Sequence, residues 1–187
     1  IKIGDSVIIQ GLGLLGLYGC AIAKANGAGM VIGLDSVDDR LNISKKFGAV
    51  ENINVSNISE QEVVQRVKEL CPPDGADVVI EVCGQPSVIP SGIEMLRTGG
   101  TYVIGGLVSP DAMLTIDGNS ILKKMLTIKG IHNYHPRHLI RALDFVMSNK
   151  DRFPFAEIVD SKFSLDQIDT AFEKAAERSV LRAAIVP

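Results

Sequence analysis

Three glycines spaced Gly11-x-Gly13-x-x-Gly16 follow the β-branched run Val7-Ile8-Ile9 and lead at once into a helical pattern. In a strand–turn–helix each has its own job. Gly11 makes the tight turn, Gly13 lets a pyrophosphate approach the backbone, and Gly16 lets the helix lie close on the strand. The N–H groups of Leu14 and Leu15 then stand at a helix start, where the dipole favours an anion. A second apolar run, Met30-Val-Ile-Gly-Leu34, ends in Asp35, nineteen residues after Gly16. An acid at that distance can accept both ribose hydroxyls of NAD, and its charge repels the 2′-phosphate of NADP. A tight turn followed by an ordinary strand-end aspartate is the plain alternative. The strand before, the helix behind and the acid at its distance together point to a dinucleotide site. Arg40, five residues on, either spans the adenosine ribose or covers its helix as a solvated charge.

Other reactive side chains are sparse. Cys83 falls at the carboxyl end of an apolar strand, where ligands bind in parallel sheets. With no base beside it in sequence, it reads as a wall of the site rather than a nucleophile. His132, His135 and His138 recur at intervals of three, which suggests a metal, but Pro136 interrupts any helix that would align them. Surface histidines are the simpler reading, so no metal ligand and no catalytic residue is assigned in this chain. No serine–histidine–acid set, paired-carboxylate signature or phosphate-binding G-x-x-x-x-G-K-[ST] loop is present.

The 187 residues suit one full domain and part of another, and 46% hydrophobic content supports a sizeable core. A net charge of −3 argues against a nucleic-acid surface. No run approaches a membrane span and no signal peptide is visible. Three unpaired cysteines, Cys20, Cys71 and Cys83, fit packed thiols in a cytoplasmic protein. Ile1 is not a methionine and the first strand starts within six residues of it, as in a domain of a longer product.

The elements that position these groups alternate. The first strand precedes a helix over about Leu14–Asn26, with an apolar face at Leu14, Tyr18, Ala21, Ile22 and Ala25 and a stop at Asn26-Gly27. The strand ending at Asp35 is followed by a helix from Ser36 or Asp38 to Phe47, then a strand over Glu51–Val55. Ser59-x-x-Glu62 is a capping box for a helix burying Val63, Val64, Val67 and Leu70. A strand over Asp77–Val82 follows, then a helix from Pro86 or Pro90 to about Arg97. A Gly99-Gly100 turn leads to strands over Thr101–Ile104 and Leu126–Ile131. This pattern predicts an α/β fold: a doubly wound parallel Rossmann sheet of six strands over residues 1–130. The rest, 131–187, predicts a helix over Pro136–Ser148 and a strand over Glu157–Ser161. A helix capped by Ser164-x-x-Gln167 and a strand over Arg182–Val186 complete it. It reads as a segment that docks on something else.

Gly4-Asp5-Ser-Val-Ile-Ile-Gln-Gly-Leu-Gly, Asp35, Asp77-Val-Val-Ile-Glu-Val-Cys-Gly84, Gly99-Gly-Thr-Tyr-Val-Ile-Gly105 and Ile128-Lys-Gly130 recur in order. Together they resemble the cofactor half of the zinc-type medium-chain alcohol dehydrogenases, from about Gly4 to the end. The resemblance implies that the Leu14 and Leu15 N–H groups hold the pyrophosphate, that the Leu15 side chain backs the nicotinamide, and that Asp35 and Arg40 take the adenosine ribose. It implies that Cys83, Gly84 and Gln85 flank the adenosine, that backbone at Ile104, Gly106, Ile131 and Asn133 fixes the carboxamide, and that Gly105 also belongs to the cofactor site. Arg182 matches a pyrophosphate-binding arginine, with a surface strand charge as the alternative. Leu14 stands where many members carry proline, and the N–H is kept.

The zinc ligands, proton relay and four-cysteine structural zinc site of such enzymes lie upstream of their cofactor domain, and residues from about Ile131 return to the catalytic domain. By resemblance, then, the chain is the NAD-binding part of an NAD-dependent alcohol or polyol dehydrogenase, inactive alone. The parent enzyme would carry zinc, and its substrate would be a small alcohol or carbonyl compound. The resemblance also implies a homodimer or tetramer through an edge strand near Met113-Leu-Thr-Ile116. The alternatives are a zinc-free quinone-reductase relative, against which Asp35 counts because that branch prefers NADPH, and a non-catalytic NAD(H)-sensing module.

Overall fold

The apolar runs of the first 130 residues become one parallel sheet in the computed structural model, which describes residues 1–187. Its strands are β1 (Ser6–Gln10), β2 (Met30–Asp35), β3 (Glu51–Asn54), β4 (Ala76–Glu81), β5 (Leu96–Ile104) and β6 (Thr127–Gly130), in the order β3-β2-β1-β4-β5-β6. The order reverses at β1, which pairs with β2 on one side and β4 on the other. Helices α1 (Leu14–Ala25), α2 (Asp38–Lys46), α3 (Glu60–Leu70), α4 (Val88–Met95) and α5 (Gly118–Lys123) connect the strands. The chain divides into two compact units, Ile1–Asn133 and Tyr134–Pro187.

Alternation along the strands assigns the core. Ile8, Ile32, Val79 and Tyr102 pack with Val63, Val64 and Val67 of α3 and Ile89 and Ile93 of α4. The opposite side of β1 receives α1, whose Gly19 lies so close that a Cβ there would meet the Ile9 side chain at 3.3 Å. The predicted capping box is formed: Glu62 N–H donates to Ser59 Oγ, and Ser59 N–H donates to the Glu62 carboxylate.

Three predicted elements of the first unit differ. The helix before β5 ends at Met95, because the Lys124 ammonium donates to the Glu94 and Leu96 carbonyls at 2.9 and 2.8 Å and Leu96 turns extended. Gly99 and Gly100 lie inside β5, where the register against β4 jumps from Ala76↔Leu96 to Val78↔Thr101. Gly99 takes φ +76° and donates to the Lys124 carbonyl, so the pair makes a bulge rather than a turn before the strand. Met113–Ile116 forms no strand. Leu114 and Ile116 pack on the core, but the segment follows a turn at Pro110-Asp111 and Asp117 caps α5 directly after it.

The second unit holds α6 (Pro136–Asn149), a 3-10 turn over Phe155–Ile158, β7 (Ser161–Ser164), α7 (Ile168–Ala176) and β8 (Ala183–Val186). The predicted strand over 157–161 is therefore replaced by the turn, with pairing starting at Ser161. Burial of Phe153 and Ile158 under the Phe145–Phe155 and Phe153–Phe155 ring contacts favours the compact turn there. The Ser164–Gln167 capping box opens a short 3-10 turn ahead of α7, and β7 pairs parallel with β8. No helix is long and apolar enough to cross a membrane.

At the amino edge of the sheet Asp77 ties three pieces together. It accepts from the Ser6 N–H at 2.8 Å, the Ser6 hydroxyl at 2.7 Å and the Arg97 guanidinium at 2.7 Å. Burial pushes its pKa up, but these donors outweigh burial and hold the carboxyl below the ordinary aspartate range. The folded-state value lies below the unfolded one. The stabilisation is therefore present above the ordinary value near 3.9 and is lost as pH falls through the depressed one. Asp77→Asn should lower the melting temperature at neutral pH, and the gap to wild type should close below about pH 4. Calorimetric melts across that range check it; a gap that persists unchanged in acid contradicts the assignment.

Candidate cofactor site

The loops after β1, β2, β4 and β5 share the carboxyl edge of the sheet, beside the point where strand order reverses. The first of them is the glycine loop. Gly11 takes φ +96°, and its N–H donates to the Leu34 carbonyl at 2.9 Å. A Cβ on Gly16 would fall 1.9 Å from the Gly11 carbonyl oxygen, but 3.4 Å from Ile9. The third glycine is thus required by the helix's approach to the turn more than to the strand. A Cβ on Gly13 would meet nothing within 4 Å.

Gly13 is extended (φ −69°, ψ −165°), caps α1 with no side chain, and no acid occupies the first turn. Intrahelical bonding begins with the Leu17 N–H on the Gly13 carbonyl at 3.0 Å. The N–H groups of Leu14, Leu15 and Gly16 therefore have no helical partner, and the Leu15 side chain is 60% exposed beside them. A bare helix tip with open space before it is an anion cradle.

Asp35 sits at the end of β2 and reaches back to this loop. One carboxylate oxygen accepts from the Leu12 N–H at 2.7 Å and the other from the Val37 N–H at 3.0 Å. The Leu12 side chain is fully buried, so the loop is held by both backbone and side chain. Arg40 lies on the first turn of α2, five residues after Asp35.

Across β1 the loops after β4 and β5 meet. Cys83 packs against the turn, where a Cβ on Gly11 would come 2.7 Å from its own Cβ. Burial, with the Glu81 charge adding, pushes its thiol up to about 11, so it stays protonated at neutral pH and forms wall. Gly84 takes φ +75° and faces the Gly106 carbonyl. The Gly105 N–H donates to the Glu81 carbonyl and the Ile131 N–H to the Ile104 carbonyl, each near 3 Å. Asn133 adopts φ +53°. Arg182 lies in the second unit, where its N–H donates to Asp160 at 3.3 Å.

Sequence reasoning missed Glu81. It is fully buried at the end of β4, its carboxylate accepting from the Gly84 N–H at 2.6 Å and the Gly106 N–H at 3.0 Å. The signal was an acid between Ile80 and Val82 in an otherwise apolar strand. Gln10 and Tyr102 were missed as well: the Tyr102 hydroxyl donates to Gln10 Oε1 at 2.5 Å, and Gln10 Nε2 donates to the Val88 carbonyl at 2.9 Å. The Gly106 N–H, committed to Glu81, is not available for a carboxamide.

The histidines do not gather. His135 caps α6 by accepting from the Arg137 N–H, and His138 accepts from the Arg137 side chain. No group of three or more His, Cys, Asp and Glu side chains converges as a metal site requires.

A family model described as zinc-binding dehydrogenase matches residues 15–148, from the first turn of α1 through α6. The chain belongs to that family. D-xylulose reductase A of Aspergillus niger is 33% identical over 175 residues, covering 93% of this chain and 48% of that protein. The alcohol dehydrogenase of Thermotoga maritima has the same fold with a TM-score of 0.92 at 27% identity, over 99% of this chain and 50% of that one. A zinc-binding dehydrogenase of Sinorhizobium meliloti, solved with NADP bound, gives 0.88 at 26% identity over 100% and 54%. The chain spans about half the length of the relatives it matches.

In this zinc-binding dehydrogenase domain the glycine loop separates a folding role from a ligand role. Gly16→Ala must displace the Gly11 carbonyl and should cost about 1–3 kcal/mol. Gly13→Ala enters open space at negative φ and should cost only the loss of a better N-cap residue, about 0.5–1 kcal/mol. Denaturant melts of the two variants check the contrast, and equal losses would contradict this reading of the loop.

Proposed function

We propose that the chain is the cofactor-binding part of an NAD-dependent alcohol or polyol dehydrogenase. The observation that carries the reading is the uncapped start of α1, open in front of Gly13 and flanked by the Asp35 carboxylate. The donor set fits a dinucleotide. The Leu14 and Leu15 N–H groups take the diphosphate, and the remaining lone pairs of Asp35, with Arg40 nearby, take the adenosine ribose. Cys83, Gly84 and the backbone at Ile104–Gly106, Ile131 and Asn133 line the path beyond. A nicotinamide bound there supplies a hydride donor or acceptor. This chain's part is to bind it, orient it and keep water from its inner face.

The relatives' names support the class: a xylulose reductase and an alcohol dehydrogenase both exchange a carbinol for a carbonyl. A carboxylate at the end of β2 with no basic side chain bonded to it favours NAD, whereas one solved relative holds NADP. Zinc does not fit the residues of this chain, so no metal step is assigned to it. The zinc ligands and the acid–base residues are assigned to the remainder of the parent protein, for which relatives about twice as long leave room.

Saturating NADH should raise the melting temperature, and Asp35→Ala should weaken NADH about tenfold or more relative to NADPH. Isothermal titration of both dinucleotides checks this. A folded chain whose melting point neither dinucleotide moves overturns the cofactor reading, and NADPH binding as tightly as NADH overturns the choice of NAD.

We also propose a homodimer through residues 113–116. Met113 and Thr115 point outward and Leu114 and Ile116 inward, as in a strand lacking its neighbour. Sedimentation equilibrium at micromolar concentration should return twice the chain mass. Monomer alone contradicts it.

A further inference from the structure

Glu81 is a fully buried acid that accepts from two backbone N–H groups on different loops, with the Cys83 thiol also hydrogen-bonded to it, rather than pairing with a basic side chain. Burying a carboxylate is costly unless both oxygens are satisfied, so those N–H groups are held where the acid needs them. Gly84 lies three residues away in its own loop, at 2.6 Å. Gly106 belongs to the loop after β5, twenty-five residues on, at 3.0 Å. The approach leaves no room: a Cβ on Gly106 would fall 2.5 Å from both Glu81 Oε1 and the Gly84 nitrogen.

The sheet order fixes which part of a ligand this clamp serves. Strands lie about 4.8 Å apart, and β5 is three strands from β2, so Gly106 lies roughly 14 Å along the edge from Asp35. A dinucleotide with its adenosine ribose on Asp35 and its diphosphate at Gly13 brings its nicotinamide half to the β5 loop. Adenosine diphosphate alone ends near β1. We propose that Glu81 is a positioning residue for the nicotinamide half: it fixes the β5 loop through the Gly106 N–H and acts on the cofactor only through that loop. The proposal rests on the cofactor reading above.

Glu81→Gln separates the two bonds at constant volume. The amide oxygen can keep the shorter local bond to Gly84, and the amide nitrogen then faces the Gly106 N–H, donor against donor. NADH affinity should fall about tenfold while ADP affinity changes less than about twofold. Titrations of the 187-residue chain with NADH and with ADP measure the split, and the fluorescence of bound NADH should move toward that of free NADH. Gly106→Ala, which leaves Glu81 in place and pushes the clamp apart, should give the same split and carries the test if the glutamine variant does not fold. Equal weakening of both ligands, or no weakening of either, overturns the proposal and leaves Glu81 a structural acid. If wild type binds neither ligand, the cofactor reading itself fails, and the clamp with it.

Discussion

Two acids at strand ends hold the working edge of the sheet, and they do it the same way. Asp35 places one oxygen on the Val37 N–H of its own turn and the other on Leu12, in the loop of the adjacent strand β1. Glu81 places one oxygen on the Gly84 N–H of its own turn and the other on Gly106, in the loop of the adjacent strand β5. Each carboxylate spends one acceptor locally and one across a strand boundary. Parallel strands end with unpaired backbone, and an anion is a strong acceptor for such groups. The loops are thereby fixed before any ligand arrives, which lowers the ordering cost of binding. The acids differ in exposure: Asp35 is partly open and can still accept from a ligand, whereas Glu81 is sealed.

Between these acids lies the helix tip they frame. Its vacancy depends on what the sequence omits, since a serine or aspartate at position 13 would cap α1 with its own side chain. Glycine there leaves the cap extended and open. The cost in helix stability is offset by the burial of Leu17, Cys20, Ala21 and Ala23 along α1. The helix is stabilised by packing along its length and so tolerates an unsatisfied end.

The parts of this arrangement legible in the sequence are those with a period or a spacing. β-branched runs alternating with helical patterns predict the six-strand sheet, and the glycine spacing with its distant acid marks the edge that binds. Elements decided by tertiary contacts escape. Gly99-Gly100 reads as a turn because only the Lys124 carbonyl and ammonium show that the strand continues through it. Residues 157–161 read as a strand because their local pattern says nothing of Phe153 and Phe155 folding the chain back. Glu81 escapes for another reason. Its neighbours in sequence are apolar, and the groups that tie it to the β5 loop are backbone N–H groups that nearly any residue type carries, so no side-chain pattern announces them. An acid inside a buried parallel strand is still a signal, because the desolvation cost requires donors to be waiting.

The second unit obeys a different constraint. A parallel strand pair is found with both faces covered, yet β7 and β8 have one crossover helix, α7, and Ile185 and Val186 stay substantially exposed. Only Phe153, Ile158 and Ala171 are buried there among apolar side chains, while Leu139, Ile140, Leu143 and Met147 of α6 and Phe172 of α7 are about half exposed or more. A segment of this size hides too small a share of its surface to be held by its own core, and apolar side chains aligned along a helix normally mark a surface that another structure covers. The central strands of the first unit are buried within its own residues. The second unit buries few apolar side chains of its own and leaves those of α6 and α7 on its surface, so the two units are held by burial to very different degrees.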